Sequence, residues 1–85
     1  MLKFGGRRLQ DGEKPLNLLV RQLHAHILVV LKDDCEYRGR MVRCDMFMNM
    51  VLEEAVEYVG GRPTRNYGTI LLRGNNICYV VLGLL

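Results

Sequence analysis

The sequence is short of the residues that most site chemistry needs. It holds three cysteines, Cys35, Cys44 and Cys78, an odd number at wide spacing. Structural metal and redox sites use close pairs with matched Cys or His partners, and no such pairs occur here. The three are expected as reduced bystander thiols, with no metal bound. His24 and His26 lie two apart without a third ligand, so structural or surface roles are expected for both. No apolar run approaches the ~20 residues of a membrane helix. Residues 1–10 lack the apolar centre of a secretory leader, and a cytoplasmic location is expected. No nucleophile–base pair, framed carboxylate pair or Gly-x-x-x-x-Gly-Lys phosphate loop is present. Catalytic residues and cofactors are therefore not expected. Aromatic residues make up 7% of the chain. That is too few for a generic single-strand binder working through many exposed rings, and Tyr37, Tyr58, Tyr67 and Tyr79 are expected in packing. No Lys/Arg block is dense enough to form a basic arm.

What remains is a small, apolar, mildly basic chain. Eighty-five residues make one domain. A chain this short buries a modest fraction of its surface and needs a tight core or a partner copy. Apolar residues reach 49%, enough for a core and part of an interface. The formal charge of +3 is weak on one chain, but repeated around identical subunits it becomes a substantial field.

Residues 1–13 lack periodicity and are expected as a flexible tail, with Arg7 and Arg8 solvated, followed by a single domain over 14–85. Leu16, Leu19, Val20 and Leu23 fall at helical spacing behind Pro15, which suits a first turn. This helix is too short to stand alone and must lid something apolar. The period then becomes that of strands: Ile27–Leu31, and Cys35–Cys44 with Gly39 inside it. A glycine within a strand marks a bulge or bend, as a very small barrel requires. Arg38, Arg40 and Arg43 on this strand are expected to form a solvated face. Asp45-Met46-Phe47-Met48-Asn49 interrupts the pattern. A strand resumes over Met50–Tyr58, and Gly60–Asn66 reads as a loop. Tyr67–Arg73 and Asn76–Leu82 read as a closing hairpin, with Gly and Asn at its corner. Both its arms are apolar on both faces, which a lone hairpin cannot bury. One face or edge is expected to pack on another copy, or else within a monomer core.

This order, with two of its segments, resembles the Sm/Lsm family of ring-forming RNA-binding proteins. The first motif is matched by Asp33-Asp34, Tyr37-Arg38-Gly39 and Asp45-Met46-Phe47-Met48-Asn49 followed by Val51-Leu52. The second is matched by Ile70, Arg73-Gly74-Asn75-Asn76-Ile77 and Tyr79-Val80. The resemblance covers about Pro15 to Val81. It implies a mainly β fold: a short N-terminal helix followed by a strongly bent five-stranded antiparallel Sm-type barrel. It also implies rings in which the fourth strand of one subunit pairs with the fifth of the next. Archaeal relatives of this type form homoheptamers, so a homo-oligomeric ring of seven is expected.

The resemblance further implies one uridine-selective pocket per subunit at the ring's inner rim. Phe47 would stack on the base, and Asn49 would read its edge with a donor and an acceptor. Arg73 would cover the other base face. Gly74 would allow close approach and offer its N–H to a base oxygen, Asn75 would line the pocket, and Asp45 would fix the loop from behind. Phe47 stands where the family often has His or Tyr. Asn75 stands where it often has Asp, which removes an ionic partner for Arg73. The implied role is an RNA chaperone or scaffold on U-rich single strands. The competing class is a small-barrel protein-interaction module, ring-forming or monomeric, without specific RNA binding.

Overall fold

The computed structural model describes Leu2–Lys3 and residues 15–82. The elements are β1 (Leu2–Lys3), α1 (Pro15–Val20), β2 (His26–Leu31), β3 (Glu36–Cys44), β4 (Met50–Val59), β5 (Arg62–Leu72), a 3-10 turn (Gly74–Asn76) and β6 (Ile77–Leu82). Every pairing is antiparallel, in the sheet order β1-β6-β2-β3-β4-β5. The five strands β2–β6 behind a short helix are the architecture expected from the sequence. Of the segment 1–13, expected as a tail, only Leu2 and Lys3 are described, and they pair with Leu82 and Val81. Arg7, Arg8 and Lys14 lie outside the described residues.

The core lies inside the curl of the sheet. Ile27 and Val29 of β2, Met41 of β3, Leu52 and Ala55 of β4 and Val80 of β6 are each fully buried. Leu19 of α1 is also fully buried, with Leu18 and Leu23 packed beside it, so the helix lids the barrel as expected. Val20, expected on the same buried face, is half exposed. The helix ends at Val20 and the chain turns from there, so Leu23 reaches the core without a continuous helical stripe. Among the described residues, no helix is long and apolar enough to cross a membrane.

Gly39 makes the bend. The β3–β4 register shifts between Arg38 and Arg40, and Glu54 opposite adopts a φ of 55°. The extra residue on β4 increases the local twist and curls the sheet. A Cβ on Gly39 would lie 2.9 Å from the Glu53 carbonyl oxygen and 3.2 Å from the Ala55 Cα. Both are backbone atoms of a paired strand and cannot swing away. Gly39→Ala is therefore expected to cost about 1–3 kcal/mol of stability, read as a lowered midpoint in thermal unfolding.

Two expectations fail. The loop read over Gly60–Asn66 contracts to a turn at Gly60-Gly61, with φ of 60° and 80°, and β5 begins at Arg62. Pro63 is tolerated because β5, paired with β4 alone among the described residues, lies at the sheet edge, where proline is accepted. The closing hairpin does not form. β5 pairs with β4 and β6 pairs with β2, so the Arg73–Asn76 corner carries the chain from one side of the barrel to the other. None of Gly74, Asn75 and Asn76 has a positive φ, so the corner is a 3-10 turn rather than a left-handed one.

Two of the three arginines of β3, Arg38 and Arg40, are spent locally. Arg38 pairs with Glu36 at 2.7 Å and covers the Tyr58 ring at 4.2 Å. Arg40 pairs with Glu53 at 2.8 Å and Glu54 at 3.2 Å. Tyr37 donates to Glu57 at 2.9 Å, and Thr64 donates to the same carboxylate at 2.8 Å. The Thr64 bond, then the Tyr37 bond, holds the Glu57 carboxyl below its ordinary range, while burial pushes the Tyr37 hydroxyl well up. Cys35, Cys44 and Cys78 are free thiols, and burial moves Cys44 away from its reactive form. Among the described residues, no three His, Cys, Asp or Glu side chains gather as a metal site.

Candidate nucleic-acid interface

The segment between β3 and β4 is a closed loop built on one carboxylate. Asp45 Oδ1 accepts from the backbone N–H of Phe47 at 2.8 Å and of Asn49 at 3.0 Å. Asp45 Oδ2 accepts from Asn49 Nδ2 at 3.1 Å. Backbone bonds from Asp45 N–H to the Asn49 carbonyl, 3.1 Å, and from Met48 N–H to the Asp45 carbonyl, 3.0 Å, close the ring. An aspartate bonding the backbone two residues ahead is a local turn device. The Asn49 amide bond, followed by the backbone N–H bonds, holds the Asp45 carboxyl below its ordinary 3.8.

The 3-10 turn docks against this loop. The Gly74 N–H donates to Asn49 Oδ1 at 2.8 Å. A Cβ on Gly74 would overlap the Phe47 carbonyl oxygen and lie 2.9 Å from the carbonyl carbons of Phe47 and Met48. Glycine is needed here for space and not for a left-handed backbone. The expectation that this N–H would await a base oxygen is corrected: it is spent on Asn49.

The orientation of Asn49 follows from its neighbours. A carboxylate only accepts, so it faces the NH₂, and an N–H only donates, so it faces the carbonyl oxygen. Among the described residues, the amide keeps one N–H and one lone pair unspent. Asp45 and the Gly74 N–H therefore fix the Asn49 amide between them, without a contribution from the Asn75 side chain.

Phe47 is 71% exposed although it is among the most apolar residues of the chain. Arg73 is exposed, and among the described residues no carboxylate lies within ion-pairing distance of it. Phe47, Met48, Asn49, Arg73, Gly74 and Asn75 together line an open cavity of about 490 Å³. All five residues expected at a pocket are brought to it, and Asp45 lies behind it. Met48, to which the motif assigns no pocket role, packs against the core and also borders the cavity. Its position inside the Asp-x-Phe-Met-Asn run was the available signal, masked by its apolar strand neighbours.

Comparison with known proteins agrees with this geometry. The family model for the LSM domain matches residues 17–82. An snRNP Sm-like protein of Thermococcus sibiricus is 38% identical over 66 residues, covering 78% of this chain and 87% of its own. The structure of a Pyrococcus abyssi Sm protein in complex with a uridine heptamer superposes with a TM-score of 0.78 at 36% identity, covering 81% of this chain and 97% of that one. A heptameric archaeal Sm protein superposes with a TM-score of 0.72 at 31% identity, covering 76% and 94%. On its motifs, its barrel and these relatives, the chain belongs to the Sm/Lsm family.

Proposed function

We propose that this chain forms a closed homo-oligomeric ring, heptameric as in its archaeal relative, and binds U-rich single-stranded RNA through one base pocket per subunit. It would serve as a scaffold or chaperone in RNA processing or turnover, as a cytoplasmic binding device and not an enzyme. The ring reading draws on the sheet edges. The outer edge of β5 is unpaired among the described residues, and Leu71 on that strand is 65% exposed. β6 has β2 on one side, and on the other, among the described residues, β1 reaches it at Leu82 and Val81. A long open edge with exposed apolar side chains invites another strand, and β5-to-β6 pairing around a ring removes both edges.

The observation that carries the RNA reading is the fixed Asn49 amide beside an exposed Phe47 and an Arg73 that has no carboxylate partner among the described residues. Its free N–H can donate to a uracil carbonyl while its free lone pair accepts the adjacent N3–H. Cytosine presents an acceptor at N3, which sets lone pair against lone pair. Phe47 supplies a base-tolerant stack worth roughly 1–3 kcal/mol per base. Arg73, planar and exposed, supplies a cation for the other base face. Repetition around the ring converts weak sites into tight binding.

The test is anisotropy of labelled oligo-uridine and oligo-cytidine with single variants. Phe47→Ala is expected to weaken both oligonucleotides. Asn49→Ala is expected to bring the ratio between them towards one. Unchanged oligo-uridine affinity in either variant would sink the pocket.

A further inference from the structure

Among the described residues, four non-glycine positions have a positive φ: His24, Asp34, Met48 and Glu54. Glu54 lies at the β-bulge, and Asp34 in the β2–β3 turn, where a short polar side chain tolerates the left-handed region. Met48, at 62°, is a long apolar residue with no such local excuse. Backbone of this kind persists only where its surroundings over-determine it.

The surroundings of Met48 do so from two sides. Its side chain is half-buried against the hydrophobic core. Its N–H is bonded to the Asp45 carbonyl at 3.0 Å. The consequence is visible in the cavity wall, which includes Phe47, Met48 and Asn49 in succession. The Met48 side chain packs on the core while the Phe47 and Asn49 side chains stand at the cavity, and the turn between them is closed by the Met48 N–H bond to Asp45. The residue with the left-handed φ is the middle one.

Resting on the base pocket proposed above, we infer that Met48 is a positioning residue for RNA binding. Anchored in the core from a left-handed backbone, it holds the turn that presents Phe47 as a stacking face. Asn49 is held separately, by Asp45 and the Gly74 N–H. Met48 therefore governs the stack, which tolerates any base, and not the choice of base.

The experiment compares the full-length chain with Met48→Gly, which accepts the positive φ but has no anchor, and Met48→Leu, which keeps an anchor of similar volume. Oligo-uridine and oligo-cytidine affinities are read by anisotropy, with particle mass by light scattering. Met48→Gly is expected to weaken both oligonucleotides by a common factor of at least about five, the lower end of a base–aromatic stack, with mass and selectivity ratio retained. Met48→Leu is expected to restore both to within about two-fold, as Leu-for-Met exchanges usually do. A Met48→Gly protein that binds as the wild type does, loses only its uridine preference, or falls apart as a particle overturns the inference while leaving the pocket standing. A wild type that binds no oligo-uridine overturns the pocket and this inference together.

Discussion

Gly74→Ala is expected to remove uridine-selective binding and to destabilise the chain by about 2–3 kcal/mol. The new Cβ meets the Phe47 carbonyl oxygen and the carbonyl carbons of Phe47 and Met48, all backbone atoms of the opposing loop. No side chain there can move aside, so one of the two segments must retreat. Retreat breaks the Gly74–Asn49 bond, frees the Asn49 amide to rotate and separates Arg73 from Phe47. The effect reaches both binding elements through one methyl group. Thermal unfolding and oligo-uridine anisotropy on the same preparation check it. A variant with wild-type affinity would show that the close approach of the 3-10 turn is not needed for the site.

The second large effect is expected at Asp45. Its carboxylate accepts three hydrogen bonds, from Phe47 N–H, Asn49 N–H and Asn49 Nδ2. Asp45→Asn nearly preserves shape but breaks the relay. With its new NH₂ towards Asn49, donor faces donor. Asn49 must then flip, which sets its own NH₂ against the Gly74 N–H. With the new amide turned the other way, the NH₂ faces the backbone N–H groups of Phe47 and Asn49. Either arrangement loses the fixed amide, so uridine preference is expected to fall about tenfold or more, the equivalent of one charge-assisted hydrogen bond. Paired anisotropy titrations measure the ratio.

The same carboxylate sets the acid limit of binding. Its hydrogen bonds hold its folded pKa below the ordinary 3.8, so the unfolded chain takes up the proton first as pH falls. Its contribution is fully present above the ordinary value and is lost as pH drops through the folded one. Oligo-uridine affinity is thus expected to be flat from pH 8 to about pH 5, where an aspartate is ionised in either state, and to fail only below the ordinary carboxylate range. A midpoint near neutrality would assign control to another group.

Much of this was legible in the residues, for identifiable reasons. Gly39 announced the bend because a missing Cβ inside a strand has few other uses, and the register shift lies beside it. The loop Asp45–Asn49 was legible through its likeness to the family motif; from the residues alone it read only as an interruption, and the structure shows an aspartate reaching forward to its own backbone. The Arg73–Asn76 corner misled because Gly and Asn suit both a left-handed hairpin turn and a tight crossing between strands. Only tertiary packing decides between them, here the approach of Gly74 to Phe47. The start of β5 was hidden by Pro63 and Asn66, residues that a sheet edge accepts and a central strand does not. The destination of the Gly74 N–H was out of reach as well, since the two segments it joins are 25 residues apart.

The most direct test of the account is anisotropy of labelled oligo-uridine against oligo-cytidine at near-physiological salt, with the mass of the complex read by light scattering. The account predicts a particle of several subunits, seven by likeness to the archaeal heptamer, that binds oligo-uridine tightly and oligo-cytidine weakly. Equal, weak binding to both that fades as salt rises would mean that only phosphate charge is read. The base pocket would then be abandoned, and the barrel would stand as a protein-interaction module.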